Sequence, residues 1–241
     1  MPRPESYRVP RGTLRWDHPS VPRGTPLSAA RTAADLLAEA GADLGFDLAP
    51  DQSVRLLELT ELLSAWAPRM NLTGHEGPQQ ILLRLVLDAL AMERHLPEAD
   101  SIADLGSGAG FPGLPLAILR PRTQVLLVES RERRHHFQRA AIRSLGLANV
   151  QPLRGRIEAL EPEEAQGVVA QALARPRTAV ELALPWCAIG GWVAIPGAEE
   201  PPDPGDVPGI HPSSNLSYSL PISGMRRTLW LGRRLGDPRS G

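Results

Sequence analysis

Lysine is absent from this chain: all 26 of its basic residues are arginine. That absence excludes Schiff-base chemistry and a phosphate-binding loop built around lysine. Cysteine is almost absent too. The single Cys187 rules out an internal disulfide and metal clusters made of several thiolates, and it suits a reducing compartment. No apolar run is long enough to cross a bilayer, and no apolar signal core stands near residue 1, so a cytoplasmic protein with no membrane partner is expected. Internal repeats are missing as well. The 241 residues, 42% of them hydrophobic, suffice for one sizeable core with appendages.

Charge is present but segregated. From Arg120 to Arg156 nine arginines face two acids, Glu129 and Glu132, and from Ile157 to Asp206 two arginines face nine acids. From Met225 to Gly241 five arginines face one acid. A local excess of guanidinium groups suits a polyanion, because they pair with phosphates and stack on bases. An ordinary solvated helix face is the competing reading. His135 and His136 are adjacent on a predicted helix, so they face different directions and no metal site is expected.

Residues 1–26 carry six prolines and five arginines with no hydrophobic period, which predicts a disordered basic tail. A helical subdomain is expected over 27–97. Its first helix runs Ala29–Ala40, capped by Ser28 and ended by Gly41. The second runs from about Asp51 to Ala67, with Leu56, Leu59, Leu62, Leu63 and Trp66 at helical spacing and Pro68 as its breaker. The third runs from about Gln79 to Leu96. Over 98–235 strands and helices alternate: Ile102–Leu105, Gly113–Leu119, Val125–Glu129, Arg131–Leu145, Val150–Leu153, Val168–Ala170, Thr178–Leu184 and Gly191–Ile195. Such alternation predicts an α/β domain with a parallel sheet covered by helices. An acidic Pro/Gly-rich loop is expected at 196–212. Leu216–Leu220 and Arg227–Leu231, joined at Gly224, predict an antiparallel edge hairpin, and 236–241 a disordered tail.

The most informative stretch is Ser101-Ile-Ala-Asp-Leu-Gly-Ser-Gly-Ala-Gly-Phe-Pro-Gly113. A buried strand runs into glycines and then a helix, which lets the backbone turn sharply and approach a ligand. The second strand ends in Glu129, placed to hold a ribose diol. Counted from Gly108, Gly-Ala-Gly-Phe-Pro-Gly113 matches the dinucleotide pattern, which would mean an NAD-dependent oxidoreductase. Counted from Asp104, an acid precedes Gly106, Gly108 and Gly110, and that arrangement resembles the first motif of S-adenosylmethionine-dependent methyltransferases. There Asp104 would sit near the cofactor's cationic amino-acid end.

A wider set of residues narrows the resemblance. Asn71-Leu-Thr73, Arg84 with Asp88, the continuation Phe111-Pro-Gly-Leu-Pro-Leu116, Glu129-Ser130 with Arg133, Arg134 and Phe137, and Arg156-Ile-Glu158 together resemble the small-subunit rRNA (guanine-N7) methyltransferase G family, once called glucose-inhibited division protein B. The match spans about residues 50–235. It implies a Rossmann-like methyltransferase fold behind N-terminal helices, S-adenosylmethionine as cofactor, and small-subunit rRNA or the assembling small subunit as partner, with a monomer expected. It implies that Gly106, Gly108, Gly110 and Phe111 border the cofactor, that Glu129 holds the ribose, and that Ile157 and Glu158 meet the adenine. Phe111 and Ile157 read equally as core residues, and Glu129 as a strand-end surface acid. Asn71, Arg84 and Asp88 become candidate substrate-positioning residues, with Asn71 as a plain turn residue and Asp88 as a surface acid the alternatives. Arg131, Arg133, Arg134 and Arg139 form the expected RNA face, within the Arg120–Arg156 stretch.

Departures from the family cluster on the substrate side. Its Arg-His-x-x-Asp-Ser is here Arg84-Leu85-Val86-Leu87-Asp88-Ala89, its Ser-Arg-Ala is Ala170-Gln171-Ala172, and its Leu-Lys-Gly is Ile195-Pro196-Gly197. Gln171 therefore occupies the place of an arginine near cofactor and substrate, and Pro196 that of a lysine. Two lost charge-assisted contacts cost about 3–6 kcal/mol of transition-state stabilisation, roughly 10²–10⁴ in rate. Guanine N7 carries a lone pair and no proton, so its methylation requires no general acid or base. A slow enzyme and a non-catalytic paralogue that binds cofactor or RNA both remain open.

Overall fold

Val, Ile, Leu and Ala fill the central strands on both faces, the pattern of a sheet buried between two layers. The computed structural model, which describes residues 31–198, 200 and 202–236, contains seven strands in one sheet: β1 (Ser101–Leu105), β2 (Gln124–Glu129), β3 (Val150–Arg154), β4 (Ala165–Val169), β5 (Cys187–Gly197), β6 (Ile210–Ser219) and β7 (Arg226–Arg234). Their order is β3-β2-β1-β4-β5-β7-β6. β1 to β5 pair in parallel, while β7 is antiparallel to both β5 and β6. This is the expected Rossmann-like methyltransferase sheet with an antiparallel edge. It departs from the six parallel strands of a dinucleotide-binding sheet, which removes the support for an oxidoreductase. The strand order reverses around β1, and ligands of open α/β sheets bind beyond the carboxyl ends of the strands at such a reversal.

Seven α-helices surround the sheet among the described residues: α1 (Ala33–Leu44), α2 (Pro50–Met70), α3 (Gly77–Ile81), α4 (Leu87–Glu93), α5 (Gly113–Leu119), α6 (Glu132–Leu145) and α7 (Pro176–Ala183). Val125 and Leu127 of β2 point into one apolar cluster with Leu37, Leu56, Leu63, Leu114 and Phe137. Leu126 and Val128 point into the opposite cluster with Ala103, Leu105, Val180 and Val193. Phe137 is fully buried and meets the Trp66 ring edge-on at 5.8 Å. Truncating such a side chain to alanine costs about 3–5 kcal/mol. The N-terminal helices share this core with the sheet, and from Thr32 onward the chain is one compact unit. The division expected at 97/98 therefore corresponds to no gap in packing. The tail expected over 1–26 lies outside the described residues, as does most of the one expected over 236–241.

Several boundaries differ for identifiable reasons. The first helix starts at Ala33 because Thr32 forms a reciprocal capping box with Asp35, and it runs past the buried Gly41 to a left-handed Gly45; Ser28 lies outside the described residues. α2 continues through Pro68 and stops at Asn71, left-handed at φ 51°. The third helix is not regular. Between α3 and α4 a π-helical turn spans Leu82–Val86, widening the helix so that residues 86 to 92 are all buried. β4 lies three residues earlier than predicted at its start, and β6 begins at Ile210, inside the stretch expected to be a loop.

Candidate functional site

The loop after β1 is held by hydrogen bonds to β2 and α6. Gly106 and Ser107 donate their N–H groups to the Val128 carbonyl at 2.9 and 3.0 Å. The Gln138 amide, fully buried on α6, donates to Ser107 Oγ and to the Gly108 carbonyl, both at 2.8 Å. Gly106, Gly108 and Gly110 all have positive φ, a region that side-chain-bearing residues enter at a cost. A Cβ on Gly106 would come within 2.8 Å of Leu173, in the loop that follows β4. Gly106 and Leu173 therefore meet beyond the carboxyl ends of β1 and β4, at the sheet's reversal point.

Asp104 stands near the carboxyl end of β1. It is 1% exposed and accepts a hydrogen bond from the Gly113 N–H at 2.8 Å. Its side chain ties β1 to the start of α5 and so anchors the loop between them. Burial pushes this carboxyl up to about 7; the Gly113 N–H lowers it and nearby Glu129 raises it.

Glu129 ends β2 at the same edge and is 4% exposed, which sets aside the reading of a surface acid. Its Oε1 accepts from the Arg131 N–H at 2.7 Å, and its Oε2 lies 3.5 Å from Arg134 Nη1. The Arg134 guanidinium also lies 3.8 Å from where a Cβ on Gly108 would stand. Arg134 therefore spans from Glu129 to the glycine loop. Phe111 is half-buried against one apolar cluster, and Ile157, in a 3₁₀ turn at Ile157–Ala159, against the other. Glu158 beside it is exposed.

A second polar group forms between α4, the β4–α7 loop and the C-terminal hairpin. Asp88, expected as either a positioning residue or a surface acid, is 7% exposed. Its Oδ1 accepts from the Tyr218 hydroxyl at 3.3 Å, its Oδ2 lies 3.1 Å from Arg227 Nε, and the Gln171 side chain lies close enough to influence it. Burial raises the Asp88 carboxyl, while Arg227, Tyr218 and Gln171 oppose that shift. Arg84, one turn earlier, reaches the hairpin turn, with Nη1 3.3 Å from Met225 Sδ. Asn71 is exposed at the end of α2, and its observed role is the turn.

Arg131, Arg133 and Arg139 are exposed along α6 and its approach, and Arg134 is half-buried. Arg143, Arg154 and Arg156 extend the exposed basic surface. Arg120 does not belong to it. Its side chain is nearly buried, paired with Glu93 at 2.6 Å and donating to the Leu96 and Pro97 carbonyls. His135, beside Arg139, Arg154 and His136, is shifted down by burial and by those cations. An open cleft of about 590 Å³, lined by Asp203, Asp206, Asn215 and Trp230 among others, contains none of the candidate residues.

Sequence reasoning missed Gln138, Tyr218 and Arg227. A glutamine on the apolar stripe Phe137, Ala141, Leu145 is a legible signal for a buried hydrogen bond. Leu216, Tyr218 and Leu220 alternate as a strand face, which marks Tyr218 as inward-facing, whereas nothing local marks Arg227.

Residues 52–202 match the family described as rRNA small subunit methyltransferase G. The ribosomal RNA small subunit methyltransferase G of Azoarcus sp. (strain BH72) is 40% identical over 157 residues, covering 65% of this chain and 74% of that protein. The protein of the same name from Deinococcus radiodurans is 38% identical over 209 residues, covering 81% and 82%. The crystal structure of cofactor-bound Rv0187 from MTB superposes with a TM-score of 0.52 at 16% identity, over 86% of this chain and 100% of that one, which shows a shared fold. Sequence match and strand order agree: the chain belongs to the rRNA small subunit methyltransferase G family.

Proposed function

We infer that this chain transfers a methyl group from S-adenosylmethionine to N7 of a guanine in small-subunit rRNA. The observation that carries the reading is the pairing, at one end of the sheet, of a positive-φ glycine loop with the buried acceptor Glu129. These residues fit a nucleoside cofactor: Gly108 leaves room beside it, the nearest group to a Cβ there being Arg134 at 3.8 Å, and Glu129 supplies carboxylate oxygens of the kind a ribose diol bonds. Gly106, Gly108, Gly110 and Phe111 would border the cofactor, Glu129 would hold its ribose, and Ile157 and Glu158 would stand near its adenine. When bound, the cofactor supplies an electrophilic methyl carbon on a sulfonium.

The chain's own contribution is positional. Guanine N7 needs no deprotonation, so no residue has to act as general base. Catalysis instead depends on aligning the base and excluding misaligned encounters. Arg84 and Asp88 border the substrate side. The exposed arginines Arg131, Arg133 and Arg139, with the half-buried Arg134, would neutralise RNA phosphates. A monomer acting in the cytoplasm on RNA or on an assembling subunit suits this surface.

The departures at Gln171 and Pro196 favour one second reading, a paralogue that binds cofactor or RNA without transferring methyl. Mapping N7-methylguanosine on small-subunit rRNA from a strain deleted for this gene, and lacking any second family member, decides between them. Loss of one modified guanine is the expected result. An unchanged pattern refutes the enzymatic reading. Calorimetry with S-adenosylmethionine and NAD tests the cofactor, and preference for NAD refutes that part.

A further inference from the structure

Gln171 and Pro196, uncharged where the resemblance expects cations, both lie beyond or at the carboxyl ends of parallel strands. β7 starts at that same edge. It runs antiparallel to β5 with Thr228 opposite Gly197 and Leu229 opposite Pro196. Arg227, one residue earlier, stands level with those strand ends and pairs across the hairpin with Tyr218. Its guanidinium turns toward Asp88, the carboxylate beside which Gln171 also lies. A cation from a distant hairpin and the neutral residue at the family's arginine position therefore meet on one carboxylate.

A guanidinium carries five N–H donors in a planar fork. The ion pair with Asp88 runs through Nε, which is buried and, although 3.1 Å from Oδ2, is not aligned to donate a hydrogen bond. The Nη pair forms no hydrogen bond among the described residues, and the side chain remains 22% exposed. Arg227 is thus held on its buried edge by charge attraction to Asp88 and is open along the other. A hairpin anchor alone needs only the buried edge.

We propose that Arg227 is the substrate-side cation of this chain: seated on Asp88, it presents its Nη pair to two oxygen or nitrogen acceptors of the RNA, a phosphate or the O6/N7 edge of the target guanine. It supplies from the C-terminal hairpin the charge that position 171 lacks. The proposal rests on the rRNA methyltransferase reading above.

The test uses the full chain, labelled S-adenosylmethionine and unmodified small-subunit rRNA, with R227Q, R227K, Q171R and the R227Q/Q171R double variant. R227Q is expected to raise the KM for RNA roughly 10- to 100-fold, the range of one charge-assisted contact. Cofactor affinity by calorimetry should stay within about twofold, because no bond of Arg227 reaches the glycine loop. Q171R is expected to restore RNA affinity in the R227Q background. An RNA KM that R227Q leaves unchanged overturns the proposal, and so does a loss that tracks melting temperature and is not rescued by Q171R. Should R227Q fail to fold, R227K keeps a cation near Asp88 without the planar fork. Weaker RNA binding at unchanged melting temperature then supports the proposal, and unchanged binding refutes it. Should the wild-type chain methylate no RNA, the function reading fails, and Arg227 is judged separately by RNA-binding anisotropy with the same variants. In either assay, a salt slope shallower by about 0.7 identifies a phosphate, and an unchanged slope with weakened affinity identifies the base edge.

Discussion

The two halves of the crevice are built differently. The cofactor half draws Asp104, the glycine loop, Glu129, Arg134 and Gln138 from about 35 consecutive residues, and its bonds are dominated by backbone groups. The substrate half draws Asp88, Gln171 and the hairpin pair Tyr218 and Arg227 from three distant segments, and its contacts are between side chains. Backbone bonds tolerate many side chains but demand particular dihedral angles, so the cofactor half depends on glycine at fixed positions. Side-chain bonds allow a charge to migrate between segments, so the substrate half can change its residues and keep its chemistry.

If the halves are separable, substitutions in one should leave the other's ligand untouched. The largest effect is expected for Gly106→Val, which combines a positive-φ strain with the clash against Leu173. A combined cost of about 3 kcal/mol weakens cofactor binding roughly 100-fold, as read by calorimetry, while RNA affinity stays near wild type. Loss of both affinities together would break the separation.

Glu129→Gln comes next. Replacing the charged acceptor costs about 1.5–3 kcal/mol, roughly 10- to 100-fold in cofactor Kd, with the RNA salt slope unchanged.

Asp104→Asn tests whether the loop anchor needs charge. The Asp104 carboxyl lies at about 7 in the folded chain, above its unfolded value, so it stays protonated in the fold while the unfolded chain ionises. Wild-type stability is therefore lost relative to the asparagine variant as pH rises from roughly 4 to 7, and the difference is constant above that. Melting curves of the two proteins should diverge across that window in favour of the variant. Parallel curves would show that Asp104 ionises without penalty.

The smallest effect is expected for Arg133→Glu on the exposed face of α6. Loss of about one phosphate contact makes the RNA salt slope shallower by about 0.7 and leaves cofactor Kd unaltered. An identical slope would remove Arg133 from the RNA face.

Much of the α/β domain was legible because its signals are local. The strand–glycine–helix run at 102–119 and the Gly146 stop of α6 follow from hydrophobic period and backbone freedom, and both appear close to where they were expected. The helix boundaries near residues 28–45 were missed because Thr32 with Asp35 is a stronger cap than Ser28 with no acid three residues on. The π turn at Leu82–Val86 was invisible because the apolar pattern there continues without a break. Arg120 looked like one more residue of a basic stretch, yet the junction of α4 and α5 buries it against Glu93.

By itself, the sequence determined the parallel sheet, the glycine loop, the acid at the end of β2 and the family, since each rests on residues close together in the chain and on dihedral or periodicity rules that hold without tertiary context. Tertiary structure alone decided that Asp104 anchors the loop and that Asp88 is buried. It alone brought Gln171, Tyr218 and Arg227 to that one carboxylate. The reason is physical: burial and ion pairing depend on what the fold packs beside a group, and β7 reaches the edge of β5 from a position about 30 residues away in the chain.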